Sequence, residues 1–236
     1  MNVILLNGDD HWLDEQRVRL MGRRAEHIRK VLRSKQGDTL RVGVLNGQLG
    51  TGRIEAIDAQ AVLMTVQLAD SPPLRHRFDL VLALPRPKML RRILRTVAEF
   101  GVEHLHLVQT ARVDKSYWQS PLLADVQVDD ALQLGMERSR DTIIPQVHRH
   151  RLFRPFVEDR LMEICAGRPC WIAHPDGPVA LPEVSSQPAV VMIGPEGGFV
   201  PFELELAEQM GVRRVHLGSR VLSVDTALTT VLAQAL

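Results

Sequence analysis

The chain has little sulfur, few aromatic rings and no long apolar run. Its 236 residues include two cysteines and one tyrosine, and aromatic residues make up only 4%. Cys165 and Cys170 cannot supply the disulfide framework of a small secreted domain. A reducing compartment is therefore the expected context, and the cytoplasm the expected location. With His174 they give a C-x4-C-x3-H spacing, which lacks the tight pair and fourth ligand of a structural zinc site, so no metal is expected. No stretch reaches the roughly 18–20 apolar residues of a membrane helix, so no membrane partner is expected. The opening MNVILLNGDDHWLDEQ is apolar only briefly, has no basic residues ahead of it and runs into acids, unlike a signal peptide. Scarce rings also limit base-stacking platforms. Tyr117 and Trp118 are the only adjacent pair, and core packing is their expected role.

A large net charge is missing too: the formal value is +1. Distribution matters more than the sum. Arg17 to Lys35 holds eight Lys/Arg and one acid, Glu26, and Arg75 to Arg95 holds seven and one, Asp79. Acids gather elsewhere, at Asp9, Asp10, Asp14 and Glu15 and at Glu203, Glu205 and Glu208. A phosphate backbone responds to local basic density. Solvated helix faces would give the same pattern, so charge alone leaves both readings open.

What is present is a change of pattern near residue 70. Before it, short apolar runs are broken by glycines, with Asn46-Gly47 as a hairpin signal and Gly37-Asp38 as a turn. This predicts a small β-rich domain with one helix over 1–70, closed by the linker Ser71-Pro72-Pro73. From Phe78 onward, buried-type strands (FDLVLAL, VEHLHLVQ, IIPQVHRH, CWIAH, AVVMIG, VRRVHLG) alternate with helical stretches. Helices are predicted over 87–100, most of 122–140, 155–165, 202–210 and 225–236. Such alternation predicts an α/β domain over 71–236 with a mainly parallel sheet covered on both faces.

Three loops follow predicted strands. Ile193-Gly194-Pro195-Glu196-Gly197-Gly198 carries three glycines and runs toward a helix, which lets a ligand approach the backbone closely. Leu217-Gly218-Ser219-Arg220-Val221-Leu222 precedes the last helix, where Ser223 or Asp225 could serve only as a cap. Ala173-His174-Pro175-Asp176-Gly177 is by itself just a turn. All three lie at strand carboxyl ends, where they could line one crevice. No G-x-G-x-x-G and no G-K-[ST] occurs, which weakens dinucleotide and P-loop readings.

IGPEGGF before a helix, with LGSRVLSVDTA opening the last one, resembles the signature of the SPOUT-superfamily ribosomal RNA uridine-N3 methyltransferases. EHIRKVLRSKQGD, RTVAEFGVEHLHLV, ARVDKSYW and the glutamate of MERSRDTIIP resemble further segments of that family, so the similarity covers nearly the whole chain. The resemblance implies a PUA-like N-terminal β-barrel and a SPOUT domain whose C-terminal segment forms a deep trefoil knot. It implies S-adenosylmethionine as cofactor, a homodimer, and ribosomal RNA or the small ribosomal subunit as partner. Carried over, the cofactor residues are Ala173, His174, Pro175, Ile193, Gly194, Pro195, Glu196, Gly197, Gly198, Leu217, Gly218, Ser219, Arg220, Val221 and Leu222. Thr226 and Ala227, at the turn into the last helix, complete the set.

Within that reading Arg220 is the leading catalytic candidate, a fixed cation able to stabilise charge on a uracil oxygen. Its bland alternative is a surface ion pair with Asp225. Glu196 is the second candidate, able instead to orient its loop through backbone N–H groups. RNA contacts are expected from Arg23, Arg24, His27, Lys30, Arg33 and Lys35, with Arg112, Lys115 and Arg140 assisting. The chain departs from the family with Ser219 for Pro, Ser223 for Arg, Asp225 for Glu and Arg138 for Gln. These departures bear on the target more than on the cofactor. They keep open a SPOUT-like RNA-binding dimer without catalysis, and an α/β enzyme of another class remains a third reading.

Overall fold

The structure is a computed structural model that describes residues 2–235. It divides into two compact units, Met1–Leu74 with Gln133–Ile144, and Arg75–Leu132 with Pro145–Leu236.

The first unit is built on a six-stranded sheet. Its strands are β1 (Ile4–Leu6), β2 (His11–Trp12), β3 (Arg17–Met21), β4 (Thr39–Val44), β5 (Leu49–Ile57) and β6 (Ala61–Asp70), in the order β1-β4-β5-β6-β3-β2. Between β3 and β4 runs α1 (Gly22–Glu26), continued by a π-helical turn, His27–Val31. The hairpin expected at Asn46-Gly47 joins β4 to β5: Asn46 sits at φ 58 and the Gly47 N–H donates to the Val44 carbonyl at 2.8 Å. Alternation sets the core, since Val18 and Leu20 point inward while Arg17 and Arg19 stay out. Ile4, Leu6, Ile28, Val42, Val62 and Met64 complete it.

Glu137 and Asp10 in this unit have side chains almost out of water, and each is held by an arginine, as a buried charge requires. Glu137 is 3% exposed and accepts from Arg23 Nη1 and Nη2 at 3.0 and 2.6 Å. Asp10 is held by both Nη atoms of Arg24, whose Nη1 also donates to the Leu5 carbonyl at 2.7 Å.

The second unit contains a seven-stranded sheet in which every pairing is parallel. In chain order its elements are β7 (Phe78–Ala83), α2 (Pro87–Glu99), β8 (His104–Val108), α3 (Asp125–Ser139, whose later half belongs to the first unit) and β9 (Gln146–His150). There follow α4 (Phe153–Pro155), a π turn (Phe156–Arg160), α5 (Leu161–Cys165), β10 (Cys170–Ala173), β11 (Val179–Ala180) and α6 (Leu181–Val184). The last are β12 (Ala189–Ile193), α7 (Pro201–Gln209), β13 (Arg213–His216) and α8 (Val224–Ala233). Spatial order is β11-β13-β10-β12-β7-β8-β9. β7 and β12 are buried along their whole length, as their continuous apolar runs predict for a sheet covered on both faces.

On α2, Leu90, Ile93, Leu94 and Val97 form the buried stripe read from the 3.6 period, with Pro87 at the helix start. His76 pins the start of β7 to the end of α8: its Nε2 bonds the Leu232 carbonyl at 2.9 Å, and its Nδ1 accepts from the Phe78 N–H. The short elements β11 and α6, and the 3-10 turns Lys115–Gln119 and Pro121–Leu123, carry too few residues for a periodic signal. Cys165 and Cys170 are buried free thiols.

Candidate ligand crevice

The three glycine-containing loops meet because their strands are lateral neighbours. Ala173, the last residue of β10, pairs with Ile193 of β12 on one side and Val215 of β13 on the other. Each strand is parallel to the next, so all three chains leave the sheet at the same edge, where open α/β sheets bind ligands. The loop after β10 is tied down at once, its His174 N–H donating to the Val215 carbonyl at 2.9 Å.

The result is a crevice of about 270 Å³. Of the residues singled out from sequence, Ala173, His174, Pro175, Ile193, Gly194, Pro195, Glu196, Gly197, Gly198, Leu217, Gly218, Arg220, Val221, Leu222 and Ala227 line it. Ser219 and Thr226 do not; the Thr226 hydroxyl is 2.9 Å from Ser223 Oγ instead. Arg112, Phe199 and Val224 also line it. Arg112, an expected RNA contact, bonds the Gly197 carbonyl through its Nη1 and so braces the glycine loop. Only tertiary structure could reveal this, because the two residues lie 85 positions apart.

The glycines act through their missing side chains. A Cβ on Gly194 would sit 3.0 Å from the Phe199 ring, and one on Gly197 2.9 Å from Arg112 Cδ. Gly198 and Gly218 have φ of +73 and +115, in the region that favours glycine. Gly177 is more constrained: a Cβ there would come within 2.3 Å of the Val215 carbonyl carbon and 2.5 Å of the His216 nitrogen. Backbone cannot yield as a flexible side chain can. Gly177→Ala is expected to cost about 1–3 kcal/mol in urea unfolding, whereas Gly8→Ala, with nothing within 4 Å, should cost far less. Equal losses would show that the approach to β13 is not tight.

The charged groups divide clearly. The Glu196 carboxylate accepts from Arg86 Nε at 2.8 Å, so a side chain from the start of α2 holds it. Asp225 accepts from the Ser223 hydroxyl at 2.6 Å and lies 3.4 Å from Arg92. The Ser223 hydroxyl, and then Arg92, hold its carboxyl below the usual carboxylate range against the opposing effect of burial. Arg220 is exposed and, among the described residues, has neither ion pair nor hydrogen bond, so the expected alternative of pairing with Asp225 is not seen. Ser223 stands at the cap position of α8 without a side-chain cap bond, its hydroxyl turned to Asp225 and Thr226.

The other basic candidates are spread out. Arg33, Lys35, Lys115 and Arg140 are exposed, and Lys30 is exposed but bonded to Glu26 at 2.6 Å. Arg24 is one-fifth exposed and occupied by Asp10 and Leu5. His27 is half-buried, with an Nε2 that has no hydrogen-bond partner; burial, more than any neighbour, pulls its pKa down.

An all-parallel sheet with a glycine-lined crevice at one edge, alongside a separate six-stranded β unit, defines an α/β ligand-binding protein with an appended β domain. A family model described as an RNA methyltransferase domain matches residues 72–236, and one described as an RNA methyltransferase PUA domain matches residues 20–67. The chain belongs to this RNA methyltransferase family. It is 30% identical over 207 residues to ribosomal RNA small subunit methyltransferase E of Treponema pallidum (strain Nichols), covering 85% of this chain and 77% of that protein. It is 29% identical over 233 residues to the protein of the same name from Synechocystis sp. (strain ATCC 27184 / PCC 6803 / Kazusa), covering 93% and 73%. The fold is shared with ribosomal RNA small subunit methyltransferase E from Neisseria gonorrhoeae, solved bound to S-adenosyl methionine. The TM-score is 0.75 at 20% identity, covering 99% of this chain and 95% of that one. A methyltransferase Lpg2936 from Legionella pneumophila, solved with bound SAM, aligns with a TM-score of 0.76 at 22% identity, covering 98% and 95%.

Proposed function

We propose that this chain methylates N3 of a uridine in small-subunit ribosomal RNA, using S-adenosylmethionine. The observation that carries the reading is the meeting of three loops, after β10, β12 and β13, in one crevice. The crevice suits that cofactor: Gly194, Gly197 and Gly198 let a flat ring system approach the backbone, and Ile193, Leu217 and Leu222 give apolar walls. When bound, the cofactor supplies an electrophilic methyl group on a sulfonium. The protein's task is to hold the donor and the acceptor nitrogen in line, so positioning carries much of the rate.

N3 of uridine gives up its proton to water in this reaction, and Arg220 would hold the negative charge shared by the two uracil carbonyl oxygens. Glu196, fixed by Arg86, positions the glycine loop. The first unit serves as the PUA-like RNA-binding domain, with exposed Lys30, Arg33 and Lys35 among its phosphate contacts. Arg140, with its φ of 63, is a further contact. The C-terminal segment, whose 217–222 loop shares a crevice with the 194–198 loop, forms the deep trefoil knot. The working form is a homodimer, to be checked by light scattering as twice 26.5 kDa. Among the described residues no helix is long and apolar enough to cross a membrane, and the cytoplasm, where ribosomes are assembled, is the proposed location.

Incubation with labelled S-adenosylmethionine and undermodified small-subunit RNA tests the reaction directly; label on N3 of one uridine is the expected result. RNA affinity should fall steeply with salt, with a log–log slope of about −2 or steeper for three or more phosphate contacts. A flat response would remove the basic surface from the account. One observation favours a second reading, an RNA-binding dimer without catalysis: Ser223 stands where the resembled family has Arg, and its hydroxyl is taken by Asp225 and Thr226. Cofactor binding without label transfer would select it.

A further inference from the structure

A second hollow, of about 660 Å³, lies next to the crevice along the chain. Phe199 and Arg112 line the crevice, while their neighbours Val200, Ala111 and Val113 line the hollow. Its walls are apolar, and two large side chains at its surface stand in solvent: Leu152 is 66% exposed and Phe202 53%. Lys115 and Arg151 add two cations, while Arg154, also in the lining, is paired with Glu158 at 2.8 Å. The Arg151 guanidinium carbon lies 5.6 Å from the centroid of the buried Trp118 ring, which fixes a flat cation over a flat surface. Thr110 also lines the hollow; it is 1% exposed, and its Oγ1 has no hydrogen-bond partner. Glu203, the one acid in the lining, is already used, accepting from the Ala111 and Val200 N–H groups at 2.7 and 3.0 Å.

We propose that this hollow receives one unstacked nucleobase of the RNA substrate. The base stacks on Phe202. Arg151 and Lys115 neutralise the flanking phosphates. The proposal rests on the RNA methyltransferase reading and deepens it. An enzyme that modifies a base edge must work on a base outside the stack, and a receptor beside the donor crevice holds the strand in that state. Aromatic and guanidinium faces tolerate any base. The charge favours RNA over an apolar protein segment: the cations of the lining have no free carboxylate among them. A second copy docking two-fold would set like charges against one another.

The test measures, for the full chain with S-adenosylhomocysteine present, the affinity for a short single-stranded oligouridylate and for an abasic oligomer of equal length. Phe202→Ala should weaken oligouridylate binding by about tenfold, leave the abasic oligomer unaffected, and leave S-adenosylhomocysteine affinity within about twofold. Phe202→Trp should restore binding. Equal oligouridylate affinity in wild type and Phe202→Ala overturns the proposal, as does no wild-type binding or equal loss for the abasic oligomer. A halved solution mass for Phe202→Ala would assign the surface to a second copy instead. If wild type fails to bind S-adenosylhomocysteine, the methyltransferase reading falls, whereas intact cofactor binding with no base-dependent loss removes only the hollow.

Discussion

Arg220→Ala is expected to lower methyl-transfer turnover by about 10²- to 10³-fold, the usual loss when one preorganised charge donor is removed. S-adenosylhomocysteine should still bind within about twofold of wild type, because the loop's backbone and apolar walls remain. The size of the effect follows from the electrostatics. Arg220 lines the crevice and, among the described residues, has no hydrogen-bond or ion-pair partner, while Asp225 is engaged by Ser223 and Arg92. An unpaired guanidinium at a reaction site is free to answer charge that appears only in the transition state. Arg220→Lys should recover part of the rate, since it keeps the charge but loses the planar fork. Turnover of Arg220→Ala near the wild-type value would remove the residue from the mechanism.

Acid should weaken the fold steeply, through a ladder of histidines. In register across β8 and β9, His106 lies opposite His148. Their rings stack at 4.4 Å, and His106 Nδ1 is 3.1 Å from His150 Nε2. His104 Nδ1 is 3.2 Å from His148 Nε2. Below the ladder, Asp79 accepts from Arg168 at 2.7 Å and from the His104 N–H. Burial first, then His148, His150, His104 and Arg168, push the His106 pKa from 6.5 down to about 3. His148 and His150 are lowered too, mainly by burial.

The sign follows directly. Below pH 6.5 the unfolded chain takes up a proton that folded His106 refuses, so stability is lost progressively as the pH falls toward about 3. His106 alone accounts for about 2 kcal/mol by pH 5. Urea midpoints at pH 7.5 and pH 5 should separate by less in His106→Leu than in wild type. An unchanged pH dependence in that variant would show that the ladder titrates freely.

Periodicity made the elements readable. Continuous apolar runs became β7 and β12, the i, i+3, i+4 stripe became α2, and Asn46-Gly47 turned the β4–β5 hairpin. Glycines at the ends of β10, β12 and β13 marked the crevice, because close approach to backbone leaves its trace in residue type. Partnerships across the chain leave no such trace. Glu203 stands in the sequence among other acids, yet it is 3% exposed and ties the Ala111 and Val200 N–H groups together. Arg24 read as a phosphate contact, yet Asp10 holds it.

The sequence alone determined the order of the longer strands and helices, the parallel sheet and the three loops on which a ligand site could form, because these depend on local spacing and on glycine's missing side chain. Tertiary structure decided which charges remain available: among the described residues Arg220 has no partner, while Arg86, Arg112, Arg24 and Asp225 have one. It also set four histidines in one ladder. The physical reason is that the field at a side chain depends on neighbours brought from distant positions, and no residue's own spacing encodes them.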